Sequence, residues 1–174
     1  YANGIDSSVV EPNPAQAKGI GNSTTMPTDA LSIEDMKLVL LKLCESVCAR
    51  LRKAHMYAGT ITVEIKYSNF HSCSHQIALP SPDYSSTVIY ETSLSLLQEL
   101  WNGTPVRLLG VRATRLTDET APIQLDLFSY QEHTGQTEKN RKLDKTIDAI
   151  RRKYGEGAIM RGSLLSHTDT HSSN

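Results

Sequence analysis

The stretch Thr60-Ile61-Thr62-Val63-Glu64-Ile65-Lys66-Tyr67 decides the fold, because apolar and polar side chains alternate along it without a break. A period of two predicts a strand that has one face on a core and the other in solvent. The apolar face consists of Ile61, Val63, Ile65 and Tyr67. The polar face consists of Thr60, Thr62, Glu64 and Lys66. Such a strand belongs in an antiparallel sheet that is covered on one side.

The residues before this strand predict a strand over 17–27 and a helix over 32–54. In the first strand, Ser23 and Thr25 point away from the core. The helix begins with a Ser32–Asp35 pair that is typical of a capping box. Its apolar stripe follows steps of three and four residues and consists of Met36, Leu40, Leu43, Val47 and Leu51. We expect Gly59 to end this unit.

The residues after the stretch predict three more elements. A strand over 71–79 places Ile77 and Leu79 on the core face, and we expect Pro80 and Pro82 to end it. A helix covers 85–102, and a last strand covers 105–116. In that strand the core residues change parity between Leu108 and Val111, which predicts a bulge at Leu109-Gly110 that keeps Leu108 in the core.

The predicted element order is β-α-β-β-α-β, which gives an α+β, ferredoxin-like fold with two helices on one face of a four-stranded antiparallel sheet. The other face is bare and polar. Its predicted residues are Ser23, Thr25, Thr60, Thr62, Lys66, Ser72, Ser74, Gln76, Arg107, Arg112 and Thr114, with Glu64 as the acidic exception. RNA-recognition sheets stack bases on aromatic side chains, and this face has none. Hydroxyls, amides and cations suit phosphate oxygens instead.

Cysteine and histidine offer two further sites. Cys44 and Cys48 lie one helical turn apart, and we interpret them as small core residues because no ligand residue accompanies them. The run His71-x-Cys73-x-His75 lacks a fourth ligand, so we predict no metal site there. Three cysteines suit a reducing cytoplasm. Apolar runs are too short to span a membrane.

The chain of 174 residues divides into segments of different composition. Residues 1–16 form a linker, and residues 17–116 form the domain, with 10 Lys and Arg against 8 Asp and Glu. Residues 117–135 are a second linker, and 136–156 an amphipathic helix with Leu143, Ile147, Ile150 and Tyr154 on its apolar side. Residues 157–174 form a tail that we expect to be disordered. The second linker contains PIQLDLF at 122–128, which fits a peptide ligand for a partner's pocket, a short edge strand, or a tail that packs on its own core.

Several motifs together carry a family resemblance. They are Lys18-Gly19-Ile20-Gly21, the helix end Cys48-Ala49-Arg50-Leu51-Arg52, the strand 61–67 and Val106-Arg107-Leu108-Leu109-Gly110-Val111. In this order, residues 17–128 resemble the little-finger domain of bacterial Y-family DNA polymerases of the DinB/UmuC type. These enzymes copy past damaged bases. Residues 2–6 resemble the exit from a preceding thumb domain, and the tail resembles C-terminal extensions of bacterial members.

The resemblance implies that the bare face holds primer–template DNA without reading its sequence. Together with the composition of that face, it predicts the DNA-binding residues Lys18, Ser23, Thr25, Lys66, Ser74, Gln76, Arg107 and Arg112. It also implies that Gln124, Leu125, Leu127 and Phe128 form a sliding-clamp-binding motif, which favours the ligand interpretation of 122–128.

The resemblance also implies what an upstream region would supply. Family chemistry is Mg²⁺-dependent phosphoryl transfer by carboxylates of a palm domain, which acts with fingers and thumb. We find no comparable acidic group here and expect no polymerase activity from this chain alone. An alternative is a ferredoxin-like regulatory domain that binds a small molecule or pairs edge to edge. A third hypothesis is an RNA-binding module, which the missing aromatic side chains disfavour.

Overall fold

The computed structural model describes residues 18–118, 130–159 and 162. The predicted segments 1–16 and most of 157–174 lie outside these residues. The described elements are β1 (Gly19–Ala30), α1 (Ile33–Lys53), β2 (Met56–Tyr67), β3 (Ser72–Asp83), α2 (Ser86–Leu100), β4 (Val106–Thr114), β5 (Thr117–Asp118), α3 (Tyr130–Tyr154) and a 3-10 turn (Glu156–Ala158). The predicted β-α-β-β-α-β order is therefore confirmed, and α3 follows it.

The four main strands lie in the order β1-β4-β2-β3, and every neighbouring pair is antiparallel. Because β4 separates β1 from β2, the chain crosses one intervening strand through α1. The second crossover runs from β3 through α2 to β4 and spans β2 in the same way. Both helices cover one face of the sheet, as the split β-α-β pattern predicts.

The core lies between the sheet and α1 and α2. The predicted stripe of α1 is fully confirmed, since all five of its residues are buried. The capping box is also present: the Asp35 amide donates to Ser32 Oγ at 3.2 Å, and the Ser32 amide donates to Asp35 Oδ2 at 3.1 Å. On β2, Ile61, Val63 and Ile65 are fully buried.

Three predictions about strand ends were wrong. Gly59 lies inside β2, which already begins at Met56. Pro80 and Pro82 do not end β3, which continues to Asp83. An edge strand tolerates proline because one row of its amides has no partner strand to bond, and β3 is an edge of this sheet. Residues 117–118 were predicted as linker, yet they pair with Met56 and Tyr57 of β2.

The bulge in β4 lies nearer the strand start than predicted. Lys66 of β2 pairs with Leu108, but the next residue, Tyr67, pairs with Val106. The extra residue is therefore Arg107, not a residue at Leu109-Gly110. Leu109, Val111 and Ala113 face the core, and Leu108 turns to the bare face beside Lys66.

The helix α3 begins at Tyr130, within the segment 117–135 that the sequence predicted as linker. The sequence pattern left the docking of this helix open. Leu143 and Tyr154, which the amphipathic pattern places on the apolar side, are 55% and 67% exposed. Charged residues of α3 make the contacts instead, and they reach the helix layer rather than the bare face.

The centre of this docking is Arg52 of α1, whose side chain is 8% exposed. Its guanidinium donates to both carboxylate oxygens of Asp148, at 2.5 and 3.0 Å. It also lies 3.5 Å from Asp144 Oδ2. Burial alone would lower the pKa of Arg52, but the hydrogen bond and charge of Asp148, with the charge of Asp144, outweigh it and raise that pKa.

The carboxylate of Asp144 has a second role, because it accepts the Ser86 amide at 2.8 Å. Ser86 is the first residue of α2, and its N-cap Ser85 makes no side-chain capping bond. A residue of α3 therefore caps α2. A negative charge at a helix N-terminus also interacts favourably with the helix dipole.

Two further ion pairs contribute to the docking. Arg141 donates to Asp83 Oδ1 at 3.0 Å, and its guanidinium lies 5.3 Å from the ring centre of Tyr57. Arg151 donates to Glu45 Oε2 at 3.0 Å. Within the described residues, no helix is long and apolar enough to cross a membrane.

Candidate nucleic-acid interface

The register of the strands arranges the bare face in four rows that run across the sheet from β1 to β3. The rows are Gly19, Thr114, Thr60 and Ala78; Gly21, Arg112, Thr62 and Gln76; Ser23, Gly110, Glu64 and Ser74; and Thr25, Leu108, Lys66 and Ser72. No aromatic side chain occurs in these rows. The predicted polar face is thus present, except that Leu108 joins it and Thr60 is buried between Thr114 and Ala78.

The structure brings the predicted DNA-binding residues to one surface. Six of them lie in the rows: Ser23, Thr25, Lys66, Ser74, Gln76 and Arg112. Lys18 is exposed and directly precedes β1. Arg107 is exposed at the bulge of β4, next to the last row. Whether these residues bind DNA stays a prediction.

On the β1–β4 side of the bare face, glycines leave room for neighbouring side chains because they have none of their own. A Cβ on Gly21 would lie 3.2 Å from the carbonyl oxygen of Val111 and 3.3 Å from Arg112 Cβ. A Cβ on Gly110 would lie 3.2 Å from Ser23 Cβ. The stem of Arg112 therefore occupies space that a side chain at position 21 would contest. The result is an open surface from which the guanidinium extends.

The electrostatics of the face are uneven. Arg112 and Lys66 lie in the second and fourth rows, while Glu64 occupies the third row on the central strand β2. Glu64 is exposed, and no ion pair to it occurs among residues 18–118 and 138–155. Its carboxylate would repel a phosphate placed between the two cations. The cationic sites therefore lie to either side of one acidic position.

One feature of this surface was not predicted. Phe70, in the turn between β2 and β3, is 63% exposed, and both Lys66 and Arg107 contact its ring. The sequence pattern assigned Phe70 to a turn and gave it no role. The signal that could have found it is an aromatic residue in a short polar turn next to a basic strand end.

The cysteines and histidines that were considered as metal or redox sites lie in the core or on the helix side of the sheet. Burial raises the pKa of the Cys44 thiol to about 12 and that of Cys48 well above its ordinary value, as expected for core residues. Cys73 and His75 pair with Ile65 and Val63 on the helix side of the sheet, where His75 Nδ1 lies 3.2 Å from Glu99 Oε2. Among the described residues, no cluster of three His, Cys, Asp or Glu side chains could hold a metal ion.

A cleft of about 830 Å³ lies on the helix side, between α1 and α3. Its walls include Ala49, Arg52, Lys53, Arg151 and Arg152. Arg52 and Arg151 are held by the carboxylates that dock α3, so they serve the docking contact first. This cleft is separated by the core from the bare face.

Comparison with known proteins assigns the family. A model of the impB/mucB/samB family C-terminal domain matches residues 17–127. The chain belongs to this family. This impB/mucB/samB family member is 38% identical over 165 residues to a DNA polymerase IV of Clostridium acetobutylicum. The alignment covers 95% of this chain and 40% of that protein. The chain is 36% identical over 170 residues to a DNA polymerase IV of Clostridium kluyveri, with 95% and 42% covered. The chain thus spans about two fifths of the length of these curated relatives.

Solved structures agree on the fold of this impB/mucB/samB domain. One is a complex of the β-clamp processivity factor and the little finger domain of PolIV, with a TM-score of 0.50 at 22% identity. It covers 63% of this chain and 97% of the matched chain. Another, a binary complex of Dbh DNA polymerase, has a TM-score of 0.51 at 19% identity and covers 57% and 29%. The predicted resemblance to a little-finger domain is confirmed.

The predicted clamp-binding residues are not placed by the structure. Gln124, Leu125, Leu127 and Phe128 lie outside the described residues. The described chain ends before them at Asp118 of β5 and resumes after them at Tyr130 of α3. Their role remains a prediction from the sequence.

Proposed function

We propose that this chain is the DNA-holding domain of a polymerase that copies past damaged bases, and that its bare face binds primer–template DNA through the phosphate backbone. The observation that carries the proposal is the composition of that face. It presents hydroxyls, the Gln76 amide, Lys66 and Arg112 in register, without an aromatic side chain in its rows. Backbone contacts position a protein on DNA without conveying sequence, and such groups make them. Membership in a family shared with DNA polymerase IV proteins supports it.

Salt dependence tests this proposal. Four or five phosphate contacts should give log K against log salt a slope of about −4, because each contact contributes about 0.9. Fluorescence anisotropy with a labelled primer–template duplex measures that slope. Arg112→Gln should weaken binding to duplexes of different sequence alike and make the slope shallower by about 1. The matched control is Lys42→Gln, which makes the same charge change on an exposed position of α1.

Two results would refute the backbone-holding role. One is wild-type binding that does not change with salt. The other is an equal loss of affinity for Arg112→Gln and Lys42→Gln, because net charge rather than the bare face would then govern binding.

We further propose that residues 124–128 recruit the protein to a sliding clamp. The support is the sequence motif itself, together with its position between the DNA-holding domain and α3. A short peptide of this kind should bind with micromolar affinity, about −8 kcal/mol. Tethering then raises its effective concentration once the domain is on DNA.

Replacement of Leu127 and Phe128 by alanine tests the clamp contact. Surface-immobilised clamp should no longer capture the double variant, while its affinity for primer–template DNA stays at the wild-type value. Retained clamp binding would assign the contact to another part of the chain.

The catalytic steps are proposed to lie in the rest of the parent protein, with palm carboxylates that hold Mg²⁺, together with fingers and thumb domains. A reducing cytoplasm suits that role and the free cysteines. For the chain of residues 1–174 we expect no nucleotide addition in a primer-extension assay with Mg²⁺. Extension above a no-protein control would overturn this expectation.

A further inference from the structure

Phe70 occupies an unfavourable backbone conformation at an exposed site. Its φ is +65°, in the left-handed region that bulky residues rarely adopt. The turn is held by the Phe70 amide, which donates to the Tyr67 carbonyl at 3.0 Å, and by the His71 amide, which donates to Asn69 Oδ1 at 3.0 Å. With 63% of the residue exposed, its ring contributes little to the core. Strain of this kind at an exposed site points to a binding role.

Two cations accompany the ring. Lys66 Nζ lies 5.3 Å and the Arg107 guanidinium carbon 5.2 Å from the ring centre, both within cation–π range. Lys66 lies in the last row of the bare face, and Arg107 is the bulge residue of β4. The bulge thus turns Arg107 toward the same ring that Lys66 contacts. Two positive charges therefore lie over an exposed aromatic ring at one end of the proposed DNA-holding face, and a base that stacks on this ring must displace them toward its phosphates.

We propose that Phe70, Lys66 and Arg107 form a subsite for an unpaired nucleotide of DNA, in which the base stacks on the ring and the cations bind its flanking phosphates. The proposal rests on the DNA-holding function proposed above. Bases inside a duplex are stacked on each other and cannot reach an aromatic side chain. An aromatic residue at the end of a backbone-binding face therefore finds a base only where one strand continues unpaired, as a template does beyond its primer. Aromatic stacking platforms between cations are typical of single-strand binding.

The alternative is that the ring only positions Lys66 and Arg107 for phosphate contacts. The two roles differ in what they do to salt dependence. Loss of a stacking surface removes affinity without changing the number of phosphates neutralised. Loss of a positioning ring removes phosphate contacts and makes the salt slope shallower.

Two DNA probes separate these roles, with the full chain as the protein. One probe is a blunt duplex, and the other is the same duplex with a single-stranded 5′ extension. Fluorescence anisotropy over a salt series gives affinity and slope for each. We expect Phe70→Leu to weaken binding to the extended probe by about fivefold or more, since stacking is worth at least that much per base. Binding to the blunt probe and both slopes should remain unchanged.

The matched control is Tyr154→Leu. Tyr154 is 67% exposed and Lys153 Nζ lies 5.1 Å from its ring centre, but it belongs to α3 on the helix side. We expect replacement of Tyr154 by leucine to leave the affinity for both probes unchanged. Phe70→Tyr keeps the stacking surface and should bind both probes as the wild type does. Phe70→Asn suits a left-handed backbone and should reproduce the loss of Phe70→Leu even if leucine disturbs the turn.

Several outcomes would overturn the subsite. Equal losses on both probes with a shallower slope would assign Phe70 a positioning role. Unchanged affinity of Phe70→Leu and Phe70→Asn for the extended probe would exclude stacking. If the wild-type chain bound neither probe, the DNA-holding function itself would fail, and the subsite with it. Wild-type binding to the blunt probe without any gain from the extension would refute the subsite alone.

Discussion

Replacement of Arg52 by methionine keeps an unbranched apolar stem and removes the guanidinium that holds α3 against α1 and α2. The variant removes the Arg52 charge from beside Asp144, whose side chain is 4% exposed, and Asp148 loses both of its hydrogen bonds from Arg52. Removal of one member of a buried ion pair costs about 3–5 kcal/mol. Asp148 is 20% exposed and Asp144 keeps its bond from the Ser86 amide, so we expect the lower end, about 3 kcal/mol.

Urea unfolding followed by circular dichroism measures this loss in the free energy of unfolding. The control is Arg50→Met, on the same helix, because Arg50 is exposed and donates to the Gly21 carbonyl at 2.7 Å. We expect the control to cost less than about 1 kcal/mol. A double-mutant cycle of Arg52→Met with Asp148→Asn then isolates the pair, and a coupling of more than about 1 kcal/mol is expected.

The outcome that refutes this reasoning is a loss for Arg52→Met no larger than for Arg50→Met. The docking of α3 would then contribute nothing to stability, and its ion pairs would be surface pairs of small value. A large loss with zero coupling would instead assign the effect to other partners of Arg52, such as the Tyr84 carbonyl at 3.3 Å.

Three further predictions concern single sites. Glu64→Gln should raise the affinity for primer–template DNA about twofold to fivefold, because it removes a repelling charge from the bare face; an unchanged anisotropy titration would place DNA elsewhere. At neutral pH a thiol reagent should modify the partly exposed Cys73 and spare Cys44, since burial raises the pKa of the Cys44 thiol to about 12 and leaves almost no thiolate; rapid modification of all three thiols before unfolding would contradict this. Ser32→Ala should cost about 1 kcal/mol in urea unfolding through loss of the capping box, whereas an unchanged midpoint would assign the start of α1 to other contacts.

Periodicity predicted the fold well where burial follows the repeat of one element. The alternation over 60–67 and the stripe of α1 both determine their own buried face, and the structure agrees. The bulge is different. A change of parity shows that one extra residue exists, but its place depends on pairing with β2, and pairing is a contact between distant parts of the chain. The sequence therefore predicted a bulge correctly but placed it at Leu109-Gly110, whereas the structure has it at Arg107.

The helix α3 shows a second limit of sequence patterns. Its apolar spacing predicted an apolar side that includes Leu143 and left its docking open, and in the structure Leu143 is exposed while the helix docks through Asp144, Asp148 and Arg151. Carboxylates normally indicate a solvated face, and a single sequence does not show that buried Arg52 lies opposite them. The same limit applies to Phe70, whose cation partners come from two strands. Ion pairs between distant elements leave no periodic signal.

The cap that Asp144 provides for α2 bears on how far the domain can be moved as a unit. The family match ends at residue 127, which marks a junction at which this domain could be grafted onto a polymerase. A graft that ends there would contain α2 without the Asp144 carboxylate that accepts its first amide. Arg52 would also lose its carboxylate partners on α3. Chimeras that extend through α3 keep both contacts. The family match therefore ends before α3, whereas the stable folding unit includes α3.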